Sequence, residues 1–99
     1  MDKINTLIST IPNSIQVEGH TDNVPISNSD YQDNLELSSA RAASVVRYFT
    51  QEKGQPAARF SAVGCGESRP KVENTTEENK AQNRRVNILI ESDMDNEEW

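Results

Sequence analysis

The tripeptide His20-Thr21-Asp22 is the first group of residues whose types and spacing suggest chemistry. It follows a short alternating segment that ends at Gly19, and α/β folds commonly place ligand sites just beyond the C-terminal ends of strands. The tripeptide permits an acid/base pair, a metal site, or hydrogen bonds that only hold its own loop together. Because the chain has one histidine and no cysteine nearby in sequence, a metal here would need oxygen ligands, and we expect no metal site.

A second group lies on one face of a predicted helix, where Asn34, Leu37, Ser38 and Arg41 are spaced i, i+3, i+4 and i+7. This face can look toward the loop that carries Asp22. The helix dipole does not favour a cation in the first half of a helix, so Arg41 should pair with an anion. Two partners fit. One is the Asp22 carboxylate in a structural salt bridge, and the other is an external carboxylate held by both arms of the guanidinium.

A third group, Asn83-Arg84-Arg85, stands between the last predicted helix and the last predicted strand. The two arginines can complement the negative end of that helix, or one of them can reach the same cleft as Arg41. Neighbouring strand residues point to opposite faces, so we expect at most one of the two in a site.

Catalysis is not indicated by any residue pattern in the chain. There is no Gly-x-Ser-x-Gly sequence, and Gly64-Cys65-Gly66 matches no signature of a cysteine nucleophile. The single cysteine excludes an internal disulfide and a zinc site built from several cysteines, and we expect it to fill a tight turn as a small apolar side chain. We therefore expect neither an enzyme nor a bound cofactor.

The elements that must position these groups follow from hydrophobic periodicity. A stripe of Ile4, Leu7, Ile8 and Ile11 predicts a short first helix that ends at Pro12. The other predicted elements are a strand at 15–18, a polar loop at 20–33, a helix capped by Asp33 or Asn34 and closed by Gly54, a strand at 59–64, a helix opened by a Thr75–Glu78 capping box and ending near Asn83, and a strand at 86–90.

This order alternates helix and strand, which predicts an α/β sandwich with helices packed on one face of a small mixed sheet. The first helix has no strand before it, so an opening strand is apparently missing. With 99 residues, of which 33% are hydrophobic, the chain has enough material for one domain. We place that domain at 1–92.

The charge distribution excludes some partners. No apolar stretch approaches the length of a membrane span, and the net charge of −6 argues against nucleic acid. Asp93, Asp95, Glu97 and Glu98 supply four of those charges, so removing −4 from −6 leaves −2 for the rest. We expect residues 93–99 to form an acidic, disordered tail.

Four motifs, in order and at suitable separations between about residue 4 and residue 90, resemble those of the OmpA-like peptidoglycan-binding domains. They are Val17-Glu18-Gly19-His20-Thr21-Asp22, Asn34-x-x-Leu37-Ser38-x-x-Arg41-Ala42, Gly64-x-Gly66-Glu67-x-x-Pro70 and Asn83-Arg84-Arg85-Val86. Within that family the segments 19–26 and 36–42 look most similar to the MotB group of flagellar motor stators, although members of that group usually carry tryptophan at the position of Leu35 and an aromatic residue at that of Cys65.

The resemblance implies an OmpA-like fold and non-covalent binding to the diaminopimelate of the peptidoglycan stem peptide. The aspartate and arginine that hold this group in the family match Asp22 and Arg41, while Asn34 and Arg84 match further pocket residues. The predicted ligand-binding site comprises Asp22, Arg41, Asn34, Arg84, Thr21 and His20.

The same resemblance implies that the protein anchors a motor stator to the cell wall. The chain begins Met1-Asp2-Lys3 without a visible signal peptide, which leaves a cytosolic protein or a piece of a longer secreted or membrane-anchored chain. The resemblance implies the second, a periplasmic piece whose parent is anchored in the inner membrane. Peptidoglycan is the expected partner, with a possible homodimer and no membrane contact by this fragment. The alternatives are an outer-membrane tether of the Pal or OmpA type and a wall-modifying enzyme that uses Glu18, His20 or Asp22.

Overall fold

The computed structural model describes residues 2–91 of the chain. The elements are α1 (Asp2–Ser9), β1 (Ile15–Gly19), α2 (Asn34–Arg47), β2 (Phe60–Gly64), α3 (Glu77–Asn83) and β3 (Val86–Ile90). The predicted alternation of helix and strand is confirmed, whereas the predicted acidic tail lies outside the described residues. Over that part of the chain, no helix has the length and apolar character needed to cross a membrane.

The three strands form one mixed sheet with β1 in the centre, between β2 and β3. β1 runs parallel to β2 and antiparallel to β3. In this register Gly19, at the end of β1, lies opposite both Gly64 and Val86. The residues that follow β1, follow β2 and precede β3 therefore meet at one edge of the sheet, as expected for a ligand site in an α/β fold.

The core lies on one face of this sheet. Ile15 and Val17 are two residues apart in β1, so both point to the same face, and there they pack with Ile8 of α1 and with Ala42 and Phe49 of the α2 region. All five residues are essentially inaccessible to solvent. The two helices thus cover one face of a small mixed sheet, which confirms the predicted fold class.

Two predicted helix starts are refined by the structure. Asp33 is the N-cap of α2, because its side chain accepts a hydrogen bond from the backbone N–H of Glu36. The predicted cap at Thr75 is wrong by one residue, since Thr76 caps α3 and accepts from the N–H of Asn79. For α2 the sequence left Asp33 and Asn34 open, whereas for α3 it predicted Thr75 and not the threonine that follows it. Adjacent residues of capping type are separated only by backbone geometry.

Two predicted elements, the first helix and the second strand, each extend past one end of the observed element. α1 ends at Ser9, which leaves Ile11 outside the helix and Leu7 54% exposed, because Ile4 and Ile8 alone face the core. The second strand was predicted from Arg59, but this residue closes a 3₁₀ turn at Ala57–Arg59. From there its guanidinium donates to the backbone carbonyls that follow α1, including that of Ile11 at 2.9 Å.

Candidate ligand-binding site

A cavity of about 390 Å³ lies beyond the C-terminal end of β1. Five of the six residues predicted for the ligand site line it, namely Thr21, Asp22, Asn34, Arg41 and Arg84. They come from three separate parts of the chain: the loop after β1, the start and the middle of α2, and the connection between α3 and β3. The sequence motifs therefore converge on one place.

The carboxylate of Asp22 is fixed by its own loop. Its Oδ1 accepts a hydrogen bond from the backbone N–H of Val24 at 3.0 Å, which is the pattern of an Asx turn. The side-chain amide of Asn34 donates to the backbone carbonyls of Asp22 and Val24 at 3.3 and 3.0 Å. Thr21 donates from its hydroxyl to the carbonyl of Asp22 at 2.8 Å. Asn34 thereby joins the loop to the start of α2 and holds the carboxylate at the cavity wall.

Asp22 forms its ion pair with Arg84. The Nη1 of Arg84 donates to Oδ2 of Asp22 at 2.5 Å. The antiparallel pairing of β1 and β3 explains this contact, because the N–H of His20 donates to the carbonyl of Arg85 and so brings the two segments together. Arg85 itself donates to the carbonyl of Arg69 and is absent from the cavity wall. One of the two arginines therefore reaches the site, in agreement with the alternation expected from sequence.

Arg41 lines the same cavity without a protein partner. Within residues 2–91 its guanidinium makes no hydrogen bond and no ion pair. The structural salt bridge between Arg41 and Asp22, one of the two alternatives from sequence, is not formed in the described part of the chain. Arg84 is instead the ion-pair partner of Asp22, and Arg41 lines the cavity beside that pair.

Close contacts between α2 and the sheet set the position of Arg41 and Asn34. A Cβ on Gly19 would lie 2.1 Å from the backbone oxygen of Ser38, and one on Gly64 would lie 1.9 Å from the hydroxyl oxygen of Ser39. The hydroxyl of the fully buried Ser38 also accepts a hydrogen bond from the N–H of Gly66 at 2.8 Å. Glycine at positions 19 and 64 is what allows α2 to approach the strand ends this closely.

His20 is the predicted site residue that the cavity does not include. It is 2% exposed, and its Nε2 lies 3.3 Å from Oε1 of Glu18. No cysteine lies near His20 in the sequence, but the structure brings the donor atoms of Glu18, His20 and Cys65 within 4.8 Å of one another. The cause is the parallel register of β1 and β2, in which Gly19 lies opposite Gly64, so the residues after them become neighbours.

Sequence reasoning missed the apolar part of the cavity wall, which Val24, Pro25, Ile26 and Leu37 form. A usable signal was present, since the segment 24–26 is an apolar run within an otherwise polar loop. A second cavity of about 510 Å³ adjoins the first, and Pro25, Ile26 and Asn34 line both. Cys65 also lines this second cavity.

Comparison with known proteins shows which sequences and folds this chain is similar to. Two proteins of Bacillus subtilis (strain 168) are similar to the chain: the uncharacterized protein YtxE is 49% identical over 90 residues, 91% of the chain and 37% of that protein, and Motility protein B is 42% identical over 86 residues, 87% of the chain and 33% of that protein. The chain thus spans about a third of the length of these relatives.

A solved structure, the C-terminal domain of Helicobacter pylori MotB, superposes with a TM-score of 0.86 at 29% identity, covering 93% of the chain and 70% of that structure. The model of the OmpA family matches residues 1–84, a span that includes the β1 loop, the α2 face and the first of the paired arginines. The chain belongs to the OmpA family.

Proposed function

We propose that this domain binds peptidoglycan non-covalently, through the diaminopimelate of the stem peptide, and so anchors a flagellar motor stator to the cell wall. The observation that carries the proposal is the guanidinium of Arg41, which has no partner among residues 2–91 and lines the same cavity as the fixed carboxylate of Asp22. Family membership and the identity to Motility protein B support it.

The chemistry of the two side chains matches the free end of diaminopimelate, which carries an ammonium and a carboxylate on one carbon. A guanidinium binds a carboxylate through two parallel hydrogen bonds. Each oxygen of Asp22 accepts one hydrogen bond in the structure, from Val24 and from Arg84, so each keeps capacity to accept from an ammonium. A stem peptide with lysine at this position lacks the carboxylate and would leave Arg41 unpaired, which disfavours it.

The cavity suits binding better than catalysis. Among the described residues that line it, Asp22 is the one acid, and this acid already accepts from Arg84. A wall-modifying enzyme of the paired-carboxylate type needs a second carboxyl group across the cleft, and no second carboxyl group is found among those lining residues. The similarity to Motility protein B favours a motor stator over an outer-membrane tether, and with it a periplasmic location for this domain.

Co-sedimentation with purified sacculi tests the proposal. The wild type should pellet with sacculi whose stem peptides contain diaminopimelate, and much less with sacculi whose stems contain lysine. Asp22→Asn and Arg41→Gln should each lose about 2–5 kcal/mol of binding, enough to leave the protein in the supernatant. Arg47→Gln is the matched control, because Arg47 is an exposed arginine on the same helix outside the cavity.

Circular dichroism of each variant separates lost binding from lost folding. A wild type that stays in the supernatant, or that pellets equally with both kinds of sacculi, contradicts the proposed ligand.

A motility assay tests the stator role separately. A strain whose full-length gene carries Arg41→Gln should lose motility, while one that carries Arg47→Gln should swim normally.

A further inference from the structure

Three metal-ligating side chains meet on the sheet face opposite the core. Glu18 follows Val17 in β1, so its side chain points away from α1 and α2. His20 is two residues further on and shares that side. Cys65 is the residue in register with His20 across the parallel β1–β2 pair, one step beyond the Gly19–Gly64 pairing. The strand register thus assembles a carboxylate, an imidazole and a thiol that are far apart in sequence.

The distances in this cluster suit a small cation. Ligand atoms around a tetrahedral zinc ion stand roughly 3.3–3.8 Å apart, given bond lengths of about 2.0–2.3 Å. Nε2 of His20 and Oε1 of Glu18 are 3.3 Å apart, and one donor atom from each of the three residues lies within 4.8 Å of the others. All three residues are buried, with Glu18 8%, His20 2% and Cys65 9% exposed.

Two polar atoms of the cluster are left without partners. Nδ1 of His20 is the one buried side-chain nitrogen or oxygen without a hydrogen bond among residues 2–91. The thiol of Cys65 is free and, in the same part of the chain, makes no hydrogen bond. Buried polar groups are satisfied in the great majority of cases. Nε2 of His20 contacts Glu18, so it is the open Nδ1 of this ring, together with the thiol that makes no hydrogen bond among the described residues, that points to a ligand at this place.

The surroundings provide both support and access. Nε2 of Gln16 donates to Oε2 of Glu18 at 3.0 Å, which orients the carboxylate as outer partners do in metal sites. The N–H of Cys65 donates to the carbonyl of Gly19 at 3.0 Å and fixes the cysteine beside His20. Because Cys65 also lines the cavity of about 510 Å³, an ion can enter from there and a water can fill a fourth position.

We propose that Glu18, His20 and Cys65 form a binding site for a divalent transition metal ion of the zinc class. A thiolate, a neutral imidazole and a carboxylate select borderline-soft ions over calcium or magnesium, which prefer oxygen ligands alone. A metal-bound thiolate and the carboxylate together carry −2, which a divalent cation neutralises. The nearest cation in the described residues is Arg69, whose 69% exposed side chain places Nη1 3.8 Å from Oε2 of Glu18, so Oε1 on the His20 side is left for the ion. This site is separate from the cavity of Asp22 and Arg41, and it stands or falls independently of the proposed function.

Cobalt(II) titration of the folded wild-type protein tests the site directly, because Cys65 is the sole cysteine of the chain and any thiolate-to-cobalt absorption band reports on it. We expect this band to saturate at one ion per protein chain, the oligomeric state to be the same with and without the ion, and zinc to abolish the band by displacement. Zinc should also raise the melting temperature of the wild type.

Variants assign the ligands. Cys65→Ser should abolish the band, and Glu18→Gln should weaken cobalt binding by more than the roughly 10–100-fold typical of losing an outer partner. Glu67→Gln, an exposed acid of the neighbouring cavity, is the matched control and should bind as the wild type does. The absence of a thiolate band in the folded wild type overturns the proposal without any variant. A band that saturates at one ion per two proteins also overturns it, and so does wild-type affinity for cobalt in Glu18→Gln.

Discussion

Arg84 pairs with Asp22 across 62 residues of sequence, through a hydrogen bond from Nη1 to Oδ2. This pairing determines which arginine in the cavity has an ion-pair partner. Among the described residues, the guanidinium of Arg41 lines the cavity without one. The two arginines therefore have different tasks. Arg84 stabilises the charge of Asp22, while Arg41 is available to an external carboxylate.

Replacing Arg84 with glutamine should lower the free energy of unfolding by about 1 kcal/mol. A hydrogen bond to a charged group contributes about 1.5–3 kcal/mol, and solvent reduces this here because the Arg84 side chain is 38% exposed. Urea denaturation measures the change, with Arg47→Gln as the control on an exposed surface. A loss as small as that of the control would show that the ion pair does not stabilise the fold.

Replacing Ser38 with alanine should cost about 1–3 kcal/mol, because the N–H of Gly66 loses its acceptor in a buried place. Ser44→Ala is the matched control on the same helix: the hydroxyl of Ser44 donates to the carbonyl of Ala40 in an exposed position, where water can replace it. Thermal unfolding of the two variants gives the comparison. Equal melting temperatures would contradict the role assigned to Ser38.

Gly19→Ala should destabilise the protein by at least about 3 kcal/mol, since the new methyl group meets the backbone oxygen of Ser38 at 2.1 Å and backbone cannot move aside cheaply. Gly54→Ala measures the cost of a positive φ in the absence of steric crowding. Gly54 has a φ of +71°, but no atom lies within 4 Å of the added Cβ, so we expect a loss of about 1–2 kcal/mol in the free energy of unfolding. Chemical denaturation of both variants should rank Gly19→Ala as the more harmful, and the reverse order would contradict the close packing of α2 on β1.

Asn83→Ala should destabilise the protein by about 2 kcal/mol, because the buried amide satisfies several partners of the preceding loop at once. Its Oδ1 accepts from the N–H groups of Lys71 and Val72, and its Nδ2 donates to the carbonyl of Val72 and to Asn74. Amide hydrogen exchange should show faster exchange at Val72 in this variant.

Asn79→Ala serves as the control for that measurement, because it removes an amide from the same helix without touching the loop. Unchanged protection at Val72 in Asn83→Ala would mean that the loop is held by other contacts.

Local periodicity and motif spacing were sufficient to predict the order of elements and the strands. Ile15 and Val17 alternate with polar residues, and α2 has an apolar stripe along one face, so the local sequence pattern predicts each of these elements. The local sequence does not predict which of Thr75 and Thr76 caps α3, because both can cap a helix. The π turn at Tyr48–Glu52, which extends α2, also has no local signature.

The sequence does not predict which site residues contact each other when they belong to distant segments of the chain. The family resemblance implied one pocket for Asp22, Arg41 and Arg84, but sequence reasoning considered Arg41 alone as an ion-pair partner of the aspartate and did not foresee its pairing with Arg84. The strand register explains this pairing, because it fixes which residue precedes β3 beside the end of β1. The same register places Cys65 beside His20, a neighbourhood that cannot be seen until the parallel pairing is known.

The guanidinium of Arg59 has a mechanical consequence. It donates five hydrogen bonds, four of them to the carbonyls of Ile8, Ile11 and Asn13 and one to the side chain of Gln55. A pull on α1 would therefore reach β2 through several charge-assisted bonds that share the load in parallel. Such bonds must rupture together, so the joint between the first helix and the sheet resists tension far better than the burial of Ile8 alone would allow.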